Sequence, residues 1–319
     1  MAFHKRQSLL MTPSQQLGHS RKLLQMKTVG AANPITGSRV KEEHDMQNMK
    51  PSSEFFSRLN YVKLLKEDRQ TLQAWSKSFC DAINEVKIDN KDRLKNIDSR
   101  FQRRFSQLPG ITKKTIVFGL DRVLVKTNFE KESDEWKPAN LTLNAKTCQK
   151  IKIYVSVRPF VVNTLKQLRR AGCELILYSS SQYNYTSAIL EILEKEKIEF
   201  HHIISSEDHE DALKSIEKRQ LKSIGTKNIN LLLHNRKERD ILFVDCGVKE
   251  YAYKITNGIF VPPFEGPPTD KRPVPDNYFL YLFEYLKEFT EVFDVRQKIE
   301  RDFDIKNLFH QSFKNPALQ

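Results

Sequence analysis

Residues 115–125 read TIVFGLDRVLV, and this stretch decides the fold. It opens with a short and mainly apolar run at 115–119, and two further runs of this kind follow at 174–178 and 241–245. Such runs, bounded by polar or turn-forming residues, are typical of strands that are buried on both faces of a parallel sheet. The sequence therefore predicts three parallel strands within one buried sheet.

Helical patterns separate these strands. Apolar residues recur at intervals of three and four positions in two of the connections: Val161, Leu165, Leu168 and Ala171 in one, and Ile189, Ile192 and Leu193 in the other. Strands that alternate with such helices imply right-handed crossovers and a sheet covered by helices on both sides. We therefore expect an α/β fold, in which a three-layer, Rossmann-like parallel sheet carries added segments at the amino terminus.

The candidate residues for binding or catalysis lie at the ends of the predicted strands. In open parallel sheets, ligands bind in the crevice beyond the carboxyl ends of the strands. Gly119, Asp121, Ser179 and Asp245 all fall at those ends. The sequence therefore predicts that they share one crevice.

The series of motifs resembles the small C-terminal-domain phosphatase family, also described as nuclear LIM interactor-interacting factor-like, of the haloacid dehalogenase superfamily. The resemblance runs from about Lys113 to about Glu300. It rests on the opening strand and on five later stretches, which are 154–162 with its Arg-Pro turn, 173–183, 227–232, 241–247 and 260–264. The resemblance implies a haloacid dehalogenase-type fold.

The resemblance also implies roles for individual positions. Family enzymes carry Asp-x-Asp-x-Thr at the end of the first strand, and the first Asp attacks phosphorus while the second manages the leaving-group proton. Here the three positions hold Gly119, Asp121 and Val123. Asp245 matches the fourth motif. Because glycine has no side chain that could attack phosphorus, the resemblance implies a degenerate site, that is, a pseudophosphatase.

The positions that would bind magnesium are altered as well. In the family, Mg²⁺ is held by the first Asp side chain, the backbone carbonyl of the second Asp and the Asn of the fourth motif. These positions are Gly119, Asp121 and Cys246 in this chain. Mg²⁺ requires hard oxygen ligands, whereas a thiol is soft. We therefore expect no metal and no cofactor, with Mg²⁺ only in the alternative of an active phosphatase.

Other family positions would contact phosphate. Ser179 matches the hydroxyl that holds a phosphate oxygen, Lys227 matches the lysine that pairs with phosphate, and Arg122 adds positive charge at the mouth of the crevice. These residues could bind a phosphorylated peptide without cleaving it. Alternatively, Asp121, Lys227 and Asp245 form an ion-paired structural cluster, and Arg122 pairs with a neighbouring carboxylate.

Composition limits the class of protein. The four cysteines, Cys80, Cys148, Cys173 and Cys246, contain no Cys-x-x-Cys pair, which argues against a zinc site and a disulfide framework. No apolar run approaches the length of about 20 residues that a membrane-spanning helix needs. We expect an intracellular, reducing compartment, with a cytoplasmic or cytoskeletal location preferred and the mitochondrial matrix as the alternative.

The positive charge is concentrated in the first third of the chain. Residues 1–50 contain 8 Lys or Arg and 3 Asp or Glu, and residues 51–110 contain 12 and 8, whereas the net charge of the whole chain is +13. Such an excess attracts acidic protein surfaces or RNA. The first 41 residues contain no acidic residue, so they can be interpreted as a basic anchoring tail or as a mitochondrial presequence.

These patterns divide the chain into four parts: an extended basic tail at 1–50, an amphipathic helical arm at 51–110, the phosphatase-like domain at 111–300 and an aromatic tail at 301–319. In the arm, a helix capped by Ser52 or Ser53 is expected to carry apolar residues from Phe55 to Val86, and a second is expected near Lys91 to Leu108. The arm covers the domain or docks on another subunit.

The favoured hypothesis is a catalytically inactive structural or scaffold subunit that docks through residues 1–110. The alternatives are an active Mg²⁺-dependent protein Ser/Thr phosphatase and a phosphopeptide-binding module.

Overall fold

The computed structural model describes residues 60–68, 75–79, 81, 97–144, 149–213, 227–270, 272 and 274–307. All of these residues belong to one compact unit, which begins at residue 57. The basic tail, most of the helical arm with its Ser52 and Ser53 caps, and residues 308–319 lie outside the described residues. No described helix is long and apolar enough to cross a membrane.

A five-stranded parallel sheet forms the centre of the domain, in the order β6-β5-β1-β7-β8. Its strands are β1 (Thr115–Phe118), β5 (Glu174–Tyr178), β6 (His202–Ile204), β7 (Ile241–Asp245) and β8 (Gly258–Phe260). Every residue of β1, β5 and β7 is buried, so both faces of the sheet are covered. The α/β fold and its three central strands are thus as predicted, although β1 ends at Phe118, one residue before the predicted end.

A smaller antiparallel sheet follows β1. It contains β2 (Val125–Asn128), β3 (Lys137–Asn144) and β4 (Gln149–Val157), in the order β2-β4-β3. The motif at 154–162 indicated a strand before the Arg-Pro turn, where β4 ends. β2 and β3 were not predicted from the sequence, because alternation of buried and exposed residues gives a weaker signal than a continuous apolar run.

Helices connect the strands. The α-helices are Tyr61–Glu67, Ser99–Arg104, Val161–Arg170, Tyr183–Lys195, Ser206–Ala212, Tyr278–Phe289 and Val295–Phe303. Shorter 3-10 segments span Ile229–Leu232, Glu238–Asp240 and Val248–Asn257. The helix Val161–Arg170 buries Val161, Leu165 and Leu168, as its spacing predicted. It ends where Gly172 takes a positive φ of 87°, a conformation that glycine adopts without steric cost.

The amino-terminal helices are shorter than the sequence predicted. The first described one begins after Asn60, whose side chain accepts a hydrogen bond from the Lys63 backbone N–H, and it ends at Asp68. Residues 75–79 form a further helical stretch. The helix expected between Lys91 and Leu108 begins only after Asp98, which caps it, and ends at Arg104. Periodicity alone extends a helix too far because it does not detect capping residues inside an apolar pattern.

Five of the described apolar residues of this segment are buried in the core of the domain. These residues are Tyr61, Leu65, Trp75, Phe79 and Phe105. The Tyr61 hydroxyl donates to the Phe260 carbonyl at 2.7 Å. At the other end of the domain, the helix Val295–Phe303 crosses the expected boundary at residue 300, and Phe303 is buried. The described part of the arm therefore covers the domain and leaves none of these five apolar side chains free for a partner.

Candidate active site

The carboxyl ends of β1, β5 and β7 bring the predicted site residues to one edge of the sheet. Gly119 directly follows β1, Ser179 directly follows β5, and Asp245 is the last residue of β7. The parallel pairing places Phe118 beside Leu177 on one side and beside Val244 on the other. The Gly119 backbone N–H continues this pairing with a hydrogen bond of 3.0 Å to the Val244 carbonyl.

An ion-paired cluster fills the centre of the site. Lys227 and Asp245 are both buried and form a direct salt bridge, and the Lys227 ammonium also lies 3.5 Å from the Glu250 carboxylate. Burial on its own lowers the pKa of Lys227, but the charges of Asp245 and Glu250 outweigh burial and hold the pKa above its usual range. Lys227 is therefore a fixed positive charge, committed to two carboxylates of the protein itself.

The Asp245 carboxylate occupies the space that a side chain at residue 119 would need. A Cβ atom added at Gly119 would lie 2.9 Å from the Asp245 Cγ, closer still to an Asp245 carboxylate oxygen, and 3.0 Å from the Val123 Cγ2. Real Cβ atoms are rarely found so close to other heavy atoms. Residue 119 thus has no side chain, and the Asp245 carboxylate fills the space that a side chain would take.

The Asp121 side chain is held by neighbouring hydroxyl groups. Tyr185 donates a hydrogen bond to one carboxylate oxygen, and Ser181 donates to the other at 3.1 Å. Tyr185 also contacts the Thr127 hydroxyl at 2.8 Å. Burial raises the pKa of Asp121, although these two hydrogen bonds oppose the rise. Asp121 does not join the Lys227–Asp245 salt bridge directly, in contrast to the three-residue cluster considered from the sequence.

Cys246 lies at the position where the family resemblance requires a metal ligand. Its Sγ atom is 3.6 Å from the Asp121 backbone carbonyl and donates a hydrogen bond to it. Burial raises the pKa of this thiol to about 12, so it stays protonated at neutral pH. A protonated thiol is a poor ligand for Mg²⁺, and the Asp245 carboxylate is engaged with Lys227. Among the described residues, no group of three His, Cys, Asp or Glu side chains is placed to hold a metal ion.

The predicted phosphate-binding residues are engaged within the protein. Ser179 is buried, and its hydroxyl accepts a hydrogen bond from the Ser181 backbone N–H at 3.1 Å. The Arg122 guanidinium pairs with the Glu265 carboxylate. Of the two interpretations of Arg122, the structure favours pairing with a neighbouring carboxylate.

The sequence analysis missed four residues of this site: Ser181, Tyr185, Glu250 and Glu265. Ser181 lies within a quoted motif and Tyr185 lies in the first turn of the following helix, so their proximity to the crevice could have been inferred. Glu250 is placed by the 3-10 segment Val248–Asn257, whose geometry the sequence pattern did not suggest. Glu265 follows β8 in a proline-rich loop that carries no periodic signal.

Adding a side chain at residue 119 is expected to destabilise the protein. Gly119→Ala should lower the free energy of unfolding by about 1–3 kcal/mol, since the new methyl group overlaps the Asp245 carboxylate. Gly119→Asp should cost more because it also places a second carboxylate beside Asp245. Urea denaturation measures both values. Gly247→Ala is a useful comparison, because its nearest neighbour would be a side-chain carbon of Glu250 at 3.3 Å. A Gly119→Ala protein as stable as wild type would contradict the packing described here.

The raised pKa of Asp121 predicts that the stability of the folded protein changes with pH. Because burial raises its pKa in the folded state, the stability that this group contributes is fully present below its unfolded pKa of about 4 and is lost as pH rises through the folded pKa. Asp121→Asn stays neutral at every pH. We therefore expect its stability relative to wild type to rise between pH 4 and pH 8, measured as the difference in urea midpoint. The exposed Asp270→Asn is the control for replacing a carboxylate by an amide. A relative stability of Asp121→Asn that falls over this range would contradict the prediction.

Comparison with known protein families identifies the family of this chain. The family model described as "NLI interacting factor-like phosphatase" matches residues 114–296, which is more than half of the chain. The chain therefore belongs to this family, as the motifs predicted. No curated protein matches the chain.

Two solved structures are similar to the chain at low identity. One is the fission yeast RNA polymerase II CTD phosphatase Fcp1 bound to beryllium fluoride, with 13% identity over 62% of this chain and 54% of that chain and a TM-score of 0.37. The other is Fcp1 described as an essential RNA polymerase II CTD phosphatase, with 15% identity over 67% and 55% and a TM-score of 0.37. The chain thus spans about half the length of the solved structures that it matches.

Proposed function

We propose that this protein is a catalytically inactive member of the phosphatase-like family, which acts as a structural subunit of a larger assembly. The observation that carries the proposal is the filled space at Gly119. Covalent phosphoryl transfer needs a nucleophile at residue 119, in line with phosphorus, and here the space of that side chain is filled by the Asp245 carboxylate, which is paired with Lys227. A misplacement of about 1 Å can already reduce catalysis about a hundredfold, so a more distant carboxylate is not an effective replacement.

The electrostatics of the site support the same proposal. Lys227 is neutralised by Asp245 and Glu250, and Arg122 is paired with Glu265. A phosphate group entering the crevice would have to compete with these carboxylates for each cation. The Cys246 thiol stands where a hard oxygen ligand is required. Loss of the nucleophile and loss of a metal ligand are two separate defects in one reaction centre.

The structural role rests on the distribution of charge. Residues 1–110 carry 20 Lys or Arg against 11 Asp or Glu, and this excess of positive charge attracts an acidic protein partner. Five apolar residues of the same segment, Tyr61, Leu65, Trp75, Phe79 and Phe105, are already buried in the domain. We therefore propose that docking depends on the charged residues of the amino-terminal part of the chain.

A phosphatase assay on the full chain tests the proposed inactivity. With a serine- or threonine-phosphorylated peptide and Mg²⁺, we expect phosphate release no faster than the background without protein. An active member of the family serves as the positive control. Turnover that is abolished by Asp121→Asn would overturn the proposal in favour of an active phosphatase.

Two binding measurements separate the remaining possibilities. Calorimetry with paired phosphorylated and unphosphorylated peptides is expected to show no preference for the phosphorylated form, whereas a clear preference would favour a phosphopeptide-binding module. For docking, the native protein should sediment in an assembly larger than the monomer. A variant in which the seven Lys and Arg residues of 1–41 are replaced by Gln should sediment as a smaller species. Unchanged sedimentation of the variant would contradict docking through this segment.

A further inference from the structure

The antiparallel sheet β2-β4-β3 has one face in the protein core. Its other face is exposed at Pro138, Asn140, Lys150 and Lys152, whereas Ser156 at the end of β4 is buried. Ala139 and Leu141 of β3 and Ile153 and Val155 of β4 are buried. The helix Tyr183–Lys195 packs against β3. Because side chains alternate between the two faces of a strand, the intervening residues of β3 and β4 belong to the opposite face. This second face is called the outer face below.

The outer face is basic and polar. Its central strand β4 presents Lys150, Lys152 and Tyr154, and the residues paired with them on β3 are Thr142, Asn140 and Pro138. Asn128 of β2 flanks Tyr154 on the other side. Among the described positions of the outer face, no residue is acidic. Pro138, Asn140, Lys150 and Lys152 are exposed, so this surface is accessible.

Tyr154 provides a partly exposed ring beside these lysines. The Lys152 ammonium lies 5.4 Å from the centre of the Tyr154 ring, and Lys150 lies two residues further along the same strand. The side chains therefore form a short row in which two ammonium groups precede an aromatic ring. At about 3.3 Å per residue, the distance from Lys150 to Tyr154 is about 13 Å along the strand.

Acidic residues lie near the part of the outer face that β2 contributes. Glu265 pairs with Lys126 of β2, and Glu130, Glu132, Asp134 and Glu135 belong to the loop between β2 and β3. Glu132 accepts a hydrogen bond from Asn128, and Asp134 pairs with Lys131. The loop joins the sheet beside Tyr154, because β2 ends opposite that residue. β2 runs antiparallel to β4, so the chain that leaves Asn128 points toward the Lys152 end of β4. Lys150 and Lys152 are both exposed and form no ion pair with a carboxylate of the described residues, so they remain available to an anionic ligand.

We propose that the outer face binds single-stranded nucleic acid. Sequence-independent binding of single strands combines cations that follow the phosphate backbone with an aromatic ring on which a base stacks. Lys150 and Lys152 supply the cations, Tyr154 supplies the ring, and the exposed Asn140 amide can form hydrogen bonds with bases or sugars. The flat sheet suits an extended strand better than a duplex, whose bases are not free to stack on a side chain. This proposal is independent of the proposed loss of phosphatase activity.

Fluorescence anisotropy with labelled rU12 and dT12 tests the proposal on the full chain. We expect both oligonucleotides to bind in about 50 mM salt, and the ratio of the two affinities shows whether RNA or DNA is preferred. In Lys150→Glu/Lys152→Glu, affinity should fall at least tenfold. The slope of log K against log salt should become shallower by at least about 1.4, because each lysine–phosphate contact on a single strand contributes about 0.7. Tyr154→Ala should weaken binding about five- to a hundredfold.

The matched control reverses the same number of charges elsewhere. Lys237 and Lys306 are exposed, and neither belongs to the outer face. Lys237→Glu/Lys306→Glu is expected to weaken binding less than threefold, and circular dichroism verifies that each variant is folded. The proposal is overturned if the control weakens binding as much as the outer-face variant does. It is also overturned if the outer-face variants bind like wild type, since the basic residues 1–50 would then account for the affinity, or if wild type does not bind either oligonucleotide.

Discussion

Arg158→Ala is expected to lower the free energy of unfolding by about 3–5 kcal/mol, which is the usual cost of removing one partner from a buried ion pair. Arg158 is almost completely buried, and its guanidinium forms two hydrogen bonds of 2.9 Å with the Asp276 carboxylate. It also donates to the Pro262 carbonyl at 2.8 Å and to the Val123 carbonyl at 3.3 Å. Without Arg158, the Asp276 charge and both carbonyl groups lose their partner.

Urea denaturation followed by circular dichroism measures this change. Arg103→Ala is the matched control, because Arg103 is exposed and substitutions at exposed positions usually change stability by less than about 0.5 kcal/mol. Because Arg158 holds the Val123 carbonyl, its loss should also loosen the loop that follows β1, and we expect faster amide hydrogen exchange there. A loss of less than about 1 kcal/mol would show that the pair does not stabilise the fold.

Lys227→Met is expected to have an effect of similar size. The substitution leaves the buried Asp245 carboxylate and the neighbouring Glu250 without their cation, and breaking a buried pair in this way costs about 3–5 kcal/mol. The exposed Lys237→Met is the control for removal of a lysine charge. In the double variant Lys227→Met/Asp245→Asn, part of the stability should return, because one of the two unpaired charges is gone.

The Lys227 and Asp245 variants test whether these two residues have a structural role. If Lys227 and Asp245 act as a structural pair, the single variants destabilise the protein and the double variant is more stable than the sum of the single effects predicts. In a site kept for catalysis, removal of a charged residue often leaves stability unchanged or increased. Additive effects in the double-mutant cycle would therefore contradict the structural role.

The sequence predicted those features of the fold that depend on continuous patterns. The strands 115–118, 174–178 and 241–245 were evident because each is buried on both faces, and parallel strands place Gly119, Ser179 and Asp245 at one edge. The ordered motifs also indicated the family, which the match over residues 114–296 confirms. These features follow from local composition and from general rules of sheet topology.

Other features depend on contacts that the sequence pattern does not encode. The pairing of Lys227 with Glu250 links residues 23 positions apart through a 3-10 segment, and the pairing of Arg122 with Glu265 links a turn with a distant loop. The sequence showed that residue 119 lacks a carboxylate, but it could not show that Asp245 fills the space. Likewise, a long apolar periodicity between 51 and 110 did not indicate that Asn60 and Asp98 begin separate short helices.

The most direct test of the inactive site is a crystal structure of the full chain grown with beryllium fluoride and Mg²⁺. Beryllium fluoride reports on the central claim because it forms a stable adduct on a carboxylate that can accept a phosphoryl group. We expect no adduct, no octahedral ion in the crevice, and an intact salt bridge between Lys227 and Asp245. An adduct bonded to a carboxylate of the crevice, with Mg²⁺ beside it, would contradict the account.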